Sequence, residues 1–208
     1  MWKWAAALVA LAGAGRADTA GEFDYYVMAL SWSPNWCARE GFERGSPQCD
    51  AEADFGWTLH GLWPQYERGW PQDCFVTYAP PTRAMTAAQA DIFGSSGLAW
   101  YQWNKHGSCS GLSPADYYAL AREAYASVIR PEVFGRLERA VTLPASVVEE
   151  AFLQANPALA PDQVTITCRD GMIQEARICL TRDLEPRLCG ADVARDCSMT
   201  NALFTPVD

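Results

Sequence analysis

"FGWTLHGLWP", Phe55–Pro64, is a short apolar run rich in aromatic and branched residues and closed by Pro64, which predicts a short strand. Upstream, "EFDYYVMALSWSP" places apolar residues at Phe23, Tyr25, Val27 and Ala29, the alternation of a second strand, ended by Ser33-Pro34. Residues 35–56 are polar, glycine-bearing and contain two cysteines, so they read as a stapled loop; "QYERGWPQDC" after Pro64 reads as another loop. Helical patterns follow. Thr86 is placed to cap "AAQADIFG", and "GLAWYQWNKHG" reads as a short helix stopped by Gly107. In "LSPADYYALAREAYASVIR", Ser113 takes the N-cap and Pro114 the first helical position, with Tyr117, Leu120, Ala121, Ala124, Tyr125 and Val128 on one face. Two more helical stretches fall around Glu132–Arg139 and Ala145–Gln154. "VTITC" and "MIQEARICL", joined by Arg169-Asp170-Gly171, predict a hairpin. Strands at both ends with helices between them indicate a single α+β domain, and there is no internal repeat, low-complexity tract or linker to divide it.

The first residues, "MWKWAAALVALAGAGRA", have the order of a secretory signal peptide: Lys3, an alanine-rich apolar run, then small residues, with cleavage after Ala17 or after Ala20. The run is too short to span a bilayer. The mature domain is then 18–208, in an exported setting, periplasmic, extracellular or lumenal. The formal charge of −9 becomes more negative on cleavage after Ala17, which removes Lys3 and Arg16 and no acid. Such a chain lacks the broad basic footprint of a nucleic-acid-coating module, so a polyanionic substrate has to be held at a small local cleft. All eight cysteines lie after the leader, and an even number behind an export signal reads as four disulfides. No C-x-x-C pair exists and the histidines are not at ligand spacing from one another, so no metal or other cofactor is expected.

The chain has two histidines, His60 in "WTLHGLWP" and His106 in "WNKHGSC", and its lysine outside the leader, Lys105, adjoins the second. Both histidines precede a glycine, which lets a substrate backbone approach closely, and both are flanked by tryptophans. A lone histidine among apolar residues is more often a satisfied core residue, but the shared setting of these three weakens that reading. Imidazole titrates near pH 6.5, so one ring takes a proton from an attacking hydroxyl while the other gives one to a leaving oxygen. Lys105 is suited to the charge that grows on a phosphorus centre during displacement. RNA supplies its own nucleophile, the 2′-hydroxyl, and aromatic side chains stack on bases. The residues thus point to metal-free acid–base chemistry on a phosphodiester. A serine hydrolase is disfavoured by the lack of a G-x-S-x-G elbow, and a metal-dependent phosphodiesterase by the lack of a carboxylate–histidine cluster.

At "WTLHGLWP" and "WNKHGSC" the chain resembles the two active-site segments of the ribonuclease T2 family, and "LSWSPNWC" at Leu30–Cys37 resembles its N-terminal strand. The resemblance runs from about Phe23 to Cys197. It implies a mainly antiparallel sheet beside several helices and cleavage of single-stranded RNA through a 2′,3′-cyclic phosphate to 3′-phosphate ends. It implies His60 as general acid, His106 as general base and Lys105 as the electrostatic stabiliser. For base binding it implies Trp63 and Trp70 as stackers and Gln65 as a hydrogen-bonding residue; core packing is an equal alternative for Trp63. It also implies the pairs Cys37–Cys49, Cys74–Cys109, Cys168–Cys197 and Cys179–Cys189.

Two positions depart from the family pattern. Gln102 stands where the family usually carries a catalytic glutamate, and an amide has no charge and exchanges no proton. Tyr101 stands where many members have a further histidine, and its hydroxyl still donates to a phosphate oxygen. The partner expected is single-stranded RNA, with no DNA, no membrane after leader removal, and a monomeric state. Gln102 keeps a second class open: a secreted, catalytically weak protein of the same fold that binds RNA or a protein.

Overall fold

The computed structural model describes residues 18–207; the signal segment read at 1–17 lies outside them. The strands are β1 (Tyr25–Trp32), β2 (Trp57–Gln65), β3 (Val141–Leu143), β4 (Val164–Arg169), β5 (Met172–Leu180) and β6 (Ala202–Phe204). The α-helices are α1 (Ser33–Trp36), α2 (Arg83–Ala87), α3 (Ala90–Phe93), α4 (Ser96–Lys105), α5 (Pro114–Ser127) and α6 (Ala145–Ala155). The class is α+β, with strands in the order β2-β1-β5-β6-β3 and β4 also paired to β5. All pairings are antiparallel except β5 with β6, which meet in parallel at Met172 and Leu203. The β4–β5 hairpin turns at Asp170-Gly171, both at positive φ (51° and 81°), the conformation that a tight two-residue turn demands.

One face of the sheet buries Met28, Leu30 and Trp32 of β1, Leu59 and Leu62 of β2, and Ile173, Ala176 and Ile178 of β5. Helix α5 closes this core with Tyr117, Tyr118, Ala121 and Ala124. Buried tyrosine hydroxyls need partners, and here they find strand and helix carbonyls. Tyr117 donates to Leu62 O (3.0 Å), Tyr125 to Trp57 O (2.8 Å) and Tyr118 to Ala99 O (2.9 Å). One helix therefore pins both β2 and α4 from behind.

The register of β1 against β2 contains an irregularity. Ala29 opposes Gly61 and the next residue, Leu30, opposes Leu59, so His60 is an extra residue without a partner. Such a bulge breaks the strict alternation of a strand and re-aims side chains. Trp57 and Leu59 before it, and Leu62 after it, all enter the core, while Thr58, His60, Trp63 and Gln65 line cavities on the other side.

Four sequence expectations are corrected by the structure. Residues 35–56 are not a plain loop: α1 runs into the segment, and a π-helical turn at Cys37–Gly41 and a 3₁₀ turn at Pro47–Cys49 lie within it. The cap in the next segment is Thr82, whose hydroxyl accepts from Met85 N, and Thr86 sits inside α2. Gly107 does not stop α4; His106 is the C-cap and Gly107 begins a 3₁₀ turn that ends at Gly111 (φ 78°). Only Glu132–Arg136 of the stretch near residue 132 is helical, as a 3₁₀ turn. The cysteines are joined as Cys37–Cys49, Cys74–Cys109, Cys168–Cys197 and Cys179–Cys189.

Candidate active site

His60 comes from the bulge in β2, and His106 from the C-cap of α4, directly after Lys105. The two segments are far apart in the chain, yet both open on one cleft of about 380 Å³. His60, Trp63, Gln65, Trp70, Tyr101, Gln102, Lys105 and His106, all eight candidates named from the sequence, line it. A neighbouring cavity of about 490 Å³ shares His60 and Tyr101 with the cleft and continues past Thr58, Ser95, Arg39 and Arg169.

Trp63 is the centre of the arrangement. Its ring centroid lies 5.1 Å from that of His60 and 5.3 Å from that of His106, so one indole packs against both imidazoles. Its Nε1–H donates to Gln102 Oε1 at 2.7 Å. Gln102 is only 1% exposed, so its amide is spent on holding the indole and not turned into solvent. The glycines after each histidine serve this packing. A Cβ at Gly61 would collide with the Trp63 indole and the Gln102 carboxamide, and one at Gly107 would sit 2.8 Å from Tyr117 and 2.9 Å from Trp103. The room expected for a substrate backbone is thus filled by the protein's own side chains.

His106 is buried, and its Nδ1 has no hydrogen-bond partner, leaving Nε2 as the nitrogen available to a substrate. Burial disfavours its charged form, and the Lys105 ammonium and His60 add to the effect, lowering its pKa to about 3. The unfolded ring takes up a proton below about pH 6.5 and the folded ring not until about pH 3, so stability falls as pH drops through that window.

His60 is held differently. Its Nδ1 lies 2.5 Å from Oε1 of Glu175, a β5 carboxylate that is 1% exposed. Arg177 Nε and Nη2 donate to the other oxygen at 2.9 and 2.8 Å. Burial alone would raise the Glu175 pKa, but the His60 and Arg177 contacts outweigh it and hold the carboxyl well below its usual range. The meeting of β2 and β5 side chains depends on β1 between them. There Ala29 faces Gly61 and Arg177, and Ser31 faces Thr58 and Glu175, so small side chains leave the span open.

Lys105 lines the cleft with its Nζ 5.8 Å from the Tyr101 ring centroid. Its backbone carbonyl accepts from Asp73 N (2.8 Å), and Cys74–Cys109 crosses beside it. Together these fasten the loop that presents Trp70, 53% exposed, to the end of α4. Gln65 is buried in the cleft wall and Tyr101 is half exposed at its rim. Among the described residues, no group of three or more His, Cys, Asp or Glu side chains is placed to hold a metal ion.

Glu175 and Arg177 were not among the sequence candidates. Their signal was present: opposite charges two apart in a largely apolar strand share a face and have to be paired if that face is buried.

The sequence pattern of the Ribonuclease T2 family matches residues 23–189. A curated ribonuclease of Aeromonas hydrophila is 48% identical over 104 residues, covering 50% of this chain and 46% of that protein. The chain spans about half the length of such curated relatives. Among solved structures, an RNase-related protein from Calystegia sepium superposes with a TM-score of 0.65 at 19% identity, over 89% of this chain and 97% of that one. RNase NT, solved in complex with 5′-AMP, does so with a TM-score of 0.60 at 17% identity, over 89% and 99%. Two histidine segments in one cleft, a sheet-and-helix fold shared over nearly its whole length, and a family pattern spanning most of the sequence lead to one assignment: the chain belongs to the ribonuclease T2 family.

Proposed function

We propose that residues 18–208, after removal of a signal peptide, form an exported endoribonuclease domain that acts as a monomer on single-stranded RNA. The reading rests above all on one arrangement, the convergence of His60, His106 and Lys105 on a single cleft around the Trp63 ring. In the first step the 2′-oxygen attacks the adjacent phosphorus and His106 Nε2 takes its proton. The bond from phosphorus to the 5′-oxygen breaks, and His60 Nε2 delivers a proton to that oxygen. Lys105 meets the negative charge on the non-bridging oxygens. The resulting 2′,3′-cyclic phosphate is opened by water with the two histidines exchanging roles, leaving a 3′-phosphate. Trp70, exposed beside Gln65, offers a stacking face for the base, while the Trp63 indole is committed to the two imidazoles and Gln102. Gln102 acts here by ordering Trp63, and Tyr101, at the rim of the cleft, donates its hydroxyl to phosphate in this reading.

RNA incubated with the purified protein in excess chelator should yield fragments with 2′,3′-cyclic phosphate ends. Loss of cleavage in chelator, or 3′-hydroxyl ends, would overturn the mechanism. A second reading, a binder of weak activity, is favoured by the neutral, buried Gln102. RNA binding without cleavage in the same assay would select it.

The depressed His106 sets the pH profile. A general base has to be neutral, and this ring is neutral above about pH 3. The value of kcat/KM at pH 4 should therefore lie within about twofold of its maximum, whereas a base at imidazole's ordinary pKa would lose roughly 300-fold there. A tenfold fall per pH unit starting near pH 6 would show that the base titrates as an ordinary imidazole and that burial does not depress it.

A further inference from the structure

Position 102 carries no carboxylate, but a carboxylate does reach the histidines from elsewhere. Glu175 arrives from β5, across β1, and touches His60 on the nitrogen that faces away from the cleft. A neutral imidazole has one N–H, and the group on one nitrogen decides which tautomer the other presents. A carboxylate on Nδ1 demands a proton there, so Nε2 becomes the nitrogen that gains and loses the transferable proton. We propose that Glu175 is the positioning residue for His60, fixing the ring's orientation and its Nδ1–H tautomer and favouring the imidazolium that the leaving 5′-oxygen requires, with Arg177 anchoring the carboxylate.

The role of His60 as acid rests on the reading under Proposed function; the tautomer and the hydrogen bond do not. Three features of the site support the assignment. Glu175 is buried among β-strand residues and is bonded on both oxygens, so its position is not adjustable. The strand neighbours that would otherwise obstruct the bridge are Ala29 and Ser31. His106, by contrast, has no hydrogen-bond partner on its Nδ1, and its ring packs against that of Trp63. The asymmetry suits the chemistry. The acid has to arrive protonated and benefits from an adjacent anion, while the base has to arrive neutral and would be hindered by one. The charged and titratable groups that share these cavities with His60 are Glu175 and Arg177 from β5, Tyr101, Lys105 and His106 from the end of α4, and Asp192 across the cleft. Across the neighbouring cavity lie Arg39, Glu40, Arg44 and Arg169. Glu175 is the one in direct contact with the ring nitrogen.

The first test needs no variant. The chain contains only two histidines, so ¹⁵N-labelled protein gives one set of ring signals for each. With both rings neutral, His60 should appear as the Nδ1–H tautomer; an Nε2–H tautomer overturns the proposal whether or not the protein cleaves RNA. The second test is Glu175→Gln, which keeps an acceptor and removes the charge. It should lower kcat on the order of 10- to 100-fold with KM changed less than threefold, and move the alkaline limb of the rate–pH profile toward acid by about one unit. Glu175→Asp should restore part of the loss, since the charge returns on a shorter arm. A merely structural role would lower the amount of folded protein and leave the limb where it is. A kcat within twofold of wild type, or an unmoved limb, overturns the proposal. If Glu175→Gln does not fold, the wild-type tautomer decides alone. A wild-type protein inactive on RNA that still shows the Nδ1–H tautomer would remove the proposed function and leave the Glu175–His60 pair intact.

Discussion

His106→Ala should be close to inactive. General base assistance is worth about 10²- to 10⁴-fold, and the cleft offers no substitute placed as His106 is. The ring packs at 5.3 Å from Trp63 with its Nδ1 enclosed and unpaired, so Nε2 is the nitrogen left for the proposed proton transfer. His60 is engaged by Glu175. Removing the imidazole also removes a buried, unpaired polar atom, so the variant should fold without serious penalty. KM should change little, because the base acts on a proton that moves only in the transition state. Rates of cyclic-phosphate formation by purified wild-type and variant protein check this. More than a tenth of wild-type activity in the variant would rule out His106 as the base.

Lys105→Ala should cost on the order of 10²-fold in kcat while weakening product binding far less. Loss of one preorganised group aimed at developing charge typically costs about 10²- to 10³-fold. Arg177, the guanidinium that also lines the cleft, is bound through Nε and Nη2 to Glu175 and is not free to take over. A second readout separates this role from simple attraction for phosphate. Lys105 is, after burial, the main cause that depresses His106. Its removal lets His106 protonate more readily, so the acid limb of the profile should move to higher pH. Equal losses in kcat and in product affinity, with an unmoved limb, would make Lys105 a phosphate anchor only.

What could be read from the residues alone was whatever repeats with a local period or stands in a short, unusual string. The β1 and β2 strands, the Ser113–Pro114 helix start and the Asp170-Gly171 turn carry their own local chemistry, and each formed close to where it was expected. His60, Lys105 and His106 were found because histidine and lysine are so scarce in this chain. Features set by distant partners were not legible. The three-residue strands β3 and β6 exist because they pair with each other and, through β6, with β5. The short helical turns of residues 33–49 depend on tertiary contacts such as Asn35, whose amide donates to Ile173 O and Leu203 O. Glu175 fell in the same class. Its partner lies two strands away, and no spacing along the chain connects them. The fate of Gln102 was likewise hidden, since its acceptor role toward Trp63 requires knowing that α4 lies over β2.

The unopposed His60 has a consequence for how this protein tolerates change. Side chains along a strand alternate between its two faces, so counting from Trp57 an unbroken strand would carry Trp63 and Gln65 onto the buried face with Leu59. The one surplus residue resets the count, and only then do His60, Trp63 and Gln65 share the cleft. The segment between Trp57 and Gln65 is therefore constrained in length as much as in identity. A point change there alters one side chain, whereas loss or gain of a single residue shifts the reading frame of the strand. Every position beyond it would then present its neighbour's side chain to the wrong compartment, pushing a leucine toward the cleft and a tryptophan into a core already full.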